Sequence, residues 1–358
     1  MLESITRTCA LPTLTVLATG CLVAAGYALI AHAQDAMPSG RRLASMKADY
    51  KRPPPRPVEN QTLVDLGRSL FWDPRVSASG KTACANCHYP YLGWSTTEPK
   101  SRNDSGKFTS RRSQPLIGIG HADASPIGWD GRSPTLEAQA KSSIGTGSMS
   151  MRDTDTPVKV EVIEERIRAI PEYVAKFNAA LPGTPIGIDS MATAIAAYER
   201  AIEPGVASFD RWIEGDEEAI SQSAKRGFVL FNEKAECFLC HSGWRFTNDS
   251  FHDIGTSTTD LGRGRELKTE VLMQYAFKTP TLRSVALRPP FMHNGSSLDL
   301  YQVMKHYEKG GIDRPSRSPL MKSIILSDQE RRDLIAFMET LTGMPEAEAP
   351  PKLPGATP

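Results

Sequence analysis

The chain has 358 residues, 42 of them lysine or arginine and 41 aspartate or glutamate, so its formal net charge is +1. A balance this even leaves no electrostatic footprint for nucleic acid. At 40% hydrophobic content the chain can build real cores, and its length suits two domains of ordinary size.

The first residues read as an export signal. Arg7 supplies a positive start, an apolar run follows from Leu11 to Ile30, and Ala31-His32-Ala33 offers a small-x-small cleavage motif. Cleavage after residue 33 would release a periplasmic protein; because the run is long, an uncleaved membrane anchor is the alternative. A lipid anchor at Cys21 is disfavoured, since Ala18-Thr19-Gly20 lacks the usual upstream Leu and apolar sequence continues past the Cys. Residues 34–60 form a lead-in, in which Arg52-Pro53-Pro54-Pro55-Arg56-Pro57 is expected to be extended and semi-rigid.

Leu66-Gly67-Arg68-Ser69-Leu70-Phe71 reads as a short helix leading into Cys84-Ala85-Asn86-Cys87-His88. The arrangement returns: Arg226-Gly227-Phe228-Val229-Leu230-Phe231 precedes Cys237-Phe238-Leu239-Cys240-His241, 153 residues after the first pentad. Cys-x-x-Cys-His is the layout for covalent c-type haem attachment, in which two thiols add to the vinyl groups and the adjacent His offers a ring nitrogen to iron. A redox disulfide and half of a four-Cys zinc site are the alternatives, but neither needs a His after the second Cys in both copies. Of six cysteines, Cys9 and Cys21 fall in the export segment, so the mature protein keeps only those in the pentads. Export fits this chemistry, because bacteria attach c-type haem outside the cytoplasm.

Helical signals dominate the rest. Val158 to Leu181 carries apolar residues at Val162, Ile163, Ile167, Ile170, Val174 and Phe177, with Pro171 as a break. Met191 to Ile202 and Asp216 to Phe231 are further helices, the latter with acids in its first turn. Ser327-Asp328-Gln329-Glu330 is a capping box before another apolar stripe. The predicted fold is mostly α, with two cytochrome c-like domains in tandem over 61–213 and 214–344, each holding one covalent c-type haem. Residues 345–358, rich in Pro, Ala and Glu, read as a disordered tail.

Trp129-Asp130-Gly131-Arg132 and Leu136-Glu137-Ala138-Gln139-Ala140 lie between the pentads. Later, Phe277-Lys278-Thr279-Pro280-Thr281-Leu282-Arg283 runs on to Pro289-Pro290-Phe291-Met292-His293-Asn294-Gly295. With both pentads, these segments resemble the bacterial di-haem cytochrome c peroxidase family, including its methylamine-utilisation MauG branch, from about Leu66 to Leu341. The resemblance implies that His88 is the proximal ligand of an N-terminal, peroxide-reactive haem and His241 that of a C-terminal, electron-transfer haem. It implies that Trp129 bridges the two haems and that Gln139 is a distal-pocket amide; a core aromatic beside a turn is the plain alternative for Trp129. By register from His293, the position of the peroxidases' axial Met falls on Tyr307, as in the MauG branch, with Met304 and His306 as nearby rivals. A thioether favours ferrous iron, whereas an anionic phenolate stabilises higher oxidation states.

Several positions depart from the family pattern. No His occurs from Tyr89 to Gly120, where many peroxidases carry one that blocks the reactive iron, and His121 reads as a loop residue. An open, five-coordinate N-terminal haem is therefore expected. Ten residues after Gln139 the family has a proton-shuttling Glu, and here stands Met149, or Ser150 with a one-residue slip; neither can shuttle protons. Asp153 and Asp155 are candidates to reach in, with Met149 and Met151 lining the pocket. The family's interdomain calcium would fall to Ser113 and to the carbonyls of Arg288 and Pro290. Oxygen ligation suits calcium, although a hydroxyl for an amide oxygen weakens the site. His293 would lie near a haem propionate, and His252 has no assigned role.

The function implied is a periplasmic oxidoreductase that uses hydrogen peroxide at the N-terminal haem to oxidise a protein or other bulky donor. A peroxidase that clears peroxide with electrons from a small cytochrome or cupredoxin is the alternative. An electron carrier with both irons closed is a third.

Overall fold

The computed structural model describes residues 40–122, 125–151, 157–343 and 349–355. The expected signal peptide and the acids Asp153 and Asp155 lie outside the described residues. From Ala44 onward the chain is one compact unit. Helix α1 (Gly40–Ala48) and an exposed, irregular Pro-rich stretch lead to α2 (Gln61–Trp72), α3 (Leu136–Gly145), α4 (Val160–Arg168), α5 (Pro171–Ala180) and α6 (Ile188–Arg200). The second half holds α7 (Ser208–Ile213), α8 (Gln222–Asn232), α9 (Leu300–Lys309) and α10 (Asp328–Glu339). Strands among the described residues are confined to the antiparallel pair β1 (Phe251–His252) and β2 (Phe277–Lys278). No helix among them is long and apolar enough to cross a membrane.

Local chemistry sets most helix ends. Asn60, Thr135, Ser221 and Asp299 each accept a hydrogen bond from the backbone N–H three residues on, satisfying a donor that a helix start otherwise leaves bare. At α10 the capping box is complete: Ser327 Oγ accepts from Glu330 N at 3.2 Å, and Glu330 Oε2 accepts from Ser327 N at 2.7 Å. Pro171 opens α5, where its missing N–H costs nothing, and so divides the 158–181 pattern into two helices.

Each half is built on one helix crossing. In the first, α2 packs on α6; in the second, α8 packs on α10. Gly67 lies at the first crossing, where a Cβ would collide with the carbonyl of Ala194, and Gly227 lies at the second, where it would collide with the carbonyl of Asp333. The two Gly positions explain the repeated Leu-Gly and Arg-Gly ahead of the pentads: they let the backbones touch. Around the second crossing Phe209, Phe228, Phe246 and Phe337 meet edge-on, with Tyr50 stacked on Phe246 at 4.8 Å.

Two expectations are corrected. The helix over Asp216–Phe231 begins only at Gln222, because Ser221 is its cap. Glu217 is spent elsewhere, accepting from Trp212 Nε1, Lys225 Nζ and Lys47 Nζ. The disordered tail does not hold for residues 349–355, which lie on the first half: Arg68 donates to the Ala349 carbonyl and Arg75 to that of Pro354, which is buried.

Candidate haem sites

Both pentads form short 3-10 turns, Cys84–Asn86 and Cys237–Leu239, that bring the His back beneath the two thiols. His88 Nδ1 meets the Trp94 carbonyl at 3.2 Å, and His241 Nδ1 meets that of Phe246 at 2.9 Å. Trp94 and Phe246 both sit in the left-handed region, at φ 55° and 54°, which turns their carbonyls inward. With Nδ1 engaged, Nε2 is the ring nitrogen left for a metal, the arrangement that orients a ligating His. Burial pushes both rings down to about 4, so they are neutral, as ligation requires.

The thiols do not resemble a redox pair. All four are free, and burial pushes each of them up, Cys237 to about 12 and Cys240 to about 11, away from the reactive thiolate. Among the described residues no group of three or more His, Cys, Asp or Glu side chains could hold a metal, which disposes of a closed zinc site there.

Above the second pentad lies a largely apolar cavity, partly open to solvent. Cys237, Cys240 and His241 line one side; Met304 and Tyr307, on α9, line it too. His306, the third rival, is turned away to the Ile254 carbonyl at 2.8 Å. Burial and the nearby Cys237 and Cys240 push the Tyr307 phenol up. Trp129 reaches this cavity from the first half, its Nε1 donating to the Arg112 carbonyl at 2.9 Å and its ring edge-on to His293. His293 stacks on Phe277 at 3.5 Å, and its buried Nε2 has no partner. His252, left without a role by the sequence, also lines the cavity, with Nδ1 on Ser318 Oγ.

Two arginines carry the strongest sign of a missing anion. Arg112 and Arg288 are buried on the same cavity wall, each with an unpartnered Nε and no carboxylate among the described residues. Burial pulls Arg112 down to about 10; burial and the charge of Arg112 pull Arg288 down to about 9. Such a pair is costly unless negative charge joins it. Haem propionates are anions of the right kind, so the cavity fits a haem in its pentad, its apolar lining and its charge.

The first half repeats this plan with different side chains. The bridge Ile127–Ser133 matches Phe291–Ser297, with Trp129 and His293 each third in its loop. Caps Thr135 and Asp299 then align α3 with α9, which sets Gln139 against Val303 and Ser143 against Tyr307. Gln139 Nε2 donates to Ser143 Oγ at 3.0 Å. Met149 is buried against the first pentad, its Sδ 3.9 Å from Cys84 Sγ. His121 is committed elsewhere, to Glu203 Oε1 at 2.7 Å and edge-on to Trp244.

The residues that the resemblance gives to calcium have protein partners. Ser113 Oγ is paired with Ser101 Oγ at 2.7 Å, and the Arg288 carbonyl accepts from Arg112 Nη1 at 2.9 Å. The Arg112 guanidinium thus supplies positive charge at one of the carbonyls that the resemblance gives to calcium, which at Ser113, Arg288 and Pro290 stays an expectation. Sequence reasoning missed the carbonyls of Trp94 and Phe246 and the pair Arg112–Arg288. Backbone dihedrals and burial carry no local sequence pattern.

Comparison with known proteins agrees with this geometry. Residues 61–218 match the di-haem cytochrome c peroxidase family and residues 224–342 the cytochrome c family. The chain is 44% identical over 325 residues to the methylamine utilization protein MauG of Methylorubrum extorquens, covering 88% of this chain and 90% of that protein. It is 30% identical to the cytochrome c551 peroxidase of Pseudomonas aeruginosa, covering 84% of each. The crystal structure of a MauG-like protein associated with microbial copper homeostasis superposes with a TM-score of 0.72 at 27% identity, over 82% of this chain and 94% of that one. The chain belongs to the di-haem cytochrome c peroxidase/MauG family, as a peroxidase-type oxidoreductase with two covalent c-type haems.

Proposed function

We propose that this protein reduces hydrogen peroxide at the haem of its first half and uses the oxidising power to withdraw electrons from a protein or other bulky donor. The observation that carries the reading is the pair Ser143 and Tyr307. They hold equivalent places on α3 and α9, yet one is a short hydroxyl already bonded to Gln139 and the other a phenol that lines the second cavity. A serine there offers no donor of a phenol's length on the His88 side, whereas Tyr307 would supply one to a haem held by His241.

When bound, the haems supply the electron-transfer chemistry, with peroxide reduced at the open iron. Cys84 and Cys87 would anchor the first and Cys237 and Cys240 the second. Gln139 would offer its amide to peroxide on the first side. Trp129, held by its Nε1 bond to the Arg112 carbonyl, lies edge-on to His293, and this supports a role as the aromatic step between the halves. Arg112 and Arg288 hold the propionate charge. Periplasmic residence follows from the export signal and from the compartment that c-type haem attachment requires.

Electron paramagnetic resonance of the oxidised protein, before and after one equivalent of peroxide, tests the reading. One high-spin and one low-spin haem, with the high-spin signal consumed by peroxide, is the expected result. Two low-spin haems that ignore peroxide would make the protein an electron carrier. Fast turnover with reduced small cytochrome would move the donor assignment to the peroxide-clearing alternative.

A further inference from the structure

The first half contains a buried carboxyl that the reading above leaves unused. Glu199 lies in the last turn of α6, is only 5% exposed, and its Oε2 has no hydrogen-bond partner. The two helix crossings show what it faces. Matching Gly67 over Ala194 to Gly227 over Asp333 sets Glu199 against Met338 of α10. Met338 lines the second cavity, so the repeat assigns Glu199 the corresponding place in the first half. The Cys84 thiol responds to the charge of Glu199, which sets the carboxyl beside the first attachment point independently of the repeat.

Packing does not account for this residue. A methionine fills the same place in the second half, without the cost of a buried, unpaired carboxylate. The charged groups around it are few: Arg200, next in the chain, and Glu137 of α3, which accepts from both Arg200 Nη atoms at 2.6 and 3.0 Å. Burial outweighs them and pushes Glu199 up to about 8. At the place of the expected acid, against Cys84, stands Met149, which cannot carry a proton.

We infer that Glu199 is the proton-exchanging carboxyl of the first haem site, holding a proton in the resting state and releasing it to solvent when the haem that His88 would hold is oxidised. This rests on the reading of His88 as the ligand of that haem. The step balances, since one electron leaves the iron for every proton that leaves the carboxyl. Reduction of peroxide takes two electrons and two protons to give two waters, so the released proton meets part of that demand.

Redox potentiometry of the holoprotein between about pH 5.5 and 9 tests it, following each haem by its own spectrum. Each tenfold change in proton activity converts to about 59 mV for a one-electron couple. The first haem of the parent protein is expected to approach that slope near neutral pH. Glu199→Gln should flatten it, while Glu199→Asp keeps a slope and the second haem is unmoved in both. Haem content and circular dichroism check folding. If the Gln variant fails to load haem, Glu199→Met, the side chain of the second half, replaces it with the same expectation. A Gln or Met variant that keeps the parent slope overturns the inference. Peroxide reactivity is measured separately, so a protein inert to peroxide but with a Glu199-dependent slope sinks the functional reading and supports the carboxyl's role.

Discussion

An imidazole that gives Nδ1 to a carbonyl has only Nε2 left to offer a metal, and His88 and His241 are both in that position. Their environments differ on the opposite face, and the difference is testable one side chain at a time. Tyr307→Phe removes the phenol oxygen but leaves Met304 on the same wall. Its expected effect is loss of the parent low-spin signal of the second haem in electron paramagnetic resonance; an unchanged signal would hand the ligand position to Met304. Glu199 makes a second prediction, about stability. Its folded value, about 8, lies above the ordinary carboxyl value of 4.5. The native state therefore binds the extra proton between those values, and its stabilising effect is complete below pH 4.5 and lost as pH rises through 8. Thermal midpoints should fall from pH 5 to pH 8 in the parent, and less steeply in Glu199→Gln. Equal slopes would show that the carboxyl ionises without consequence.

At the scale of elements, the crossings of α2 on α6 and α8 on α10 hold the pentad turns in place. Gly67→Ala and Gly227→Ala each force a methyl into a backbone carbonyl. Overpacking of this kind costs about 1–3 kcal/mol or more, and thermal melting with haem content measured for each variant checks it. Gly67→Ala should harm the first haem and Gly227→Ala the second. Much of this level was legible in the sequence. Pro171, the Ser327 capping box and the Gly-containing repeat act over three or four residues, so the pattern carries the physics. Other features were not legible, each for a stated reason. The acids at Asp216–Glu218 read as a first helical turn because the partners of Glu217, among them Lys47, are distant in sequence. Cys84 to His88 announced a haem by spacing alone. Glu199, in contrast, reads as one more polar residue on a helix until the crossing shows which face is buried.

Across the whole molecule, Arg111 joins Arg112 and Arg263 in tying the halves, and it alone of the three does so between carboxylates of both. Arg111 donates to Asp130 Oδ2 at 2.7 Å in the first half, and through Nε and Nη2 to Asp260 in the second, at 2.6 and 2.8 Å. Burial alone would raise Asp260, but the hydrogen bond and charge of Arg111 override it and hold the carboxyl down to about 2. Breaking a buried pair on one side typically costs about 3–5 kcal/mol. Arg111→Ala should therefore lower the urea midpoint and separate the unfolding of the halves into two steps; a single unshifted transition would deny the tie. Because the folded value of Asp260 is depressed, its contribution is present above pH 3.8 and lost as pH falls toward 2. The parent should lose stability over that window, and the Ala variant should not. The segment 349–355 adds a consequence of another kind. It follows both halves in the chain yet rests on Arg68 and Arg75 of the first. As the chain emerges N-terminus first on the far side of the membrane, the first half has to hold its shape without this strap until the whole second half has followed it.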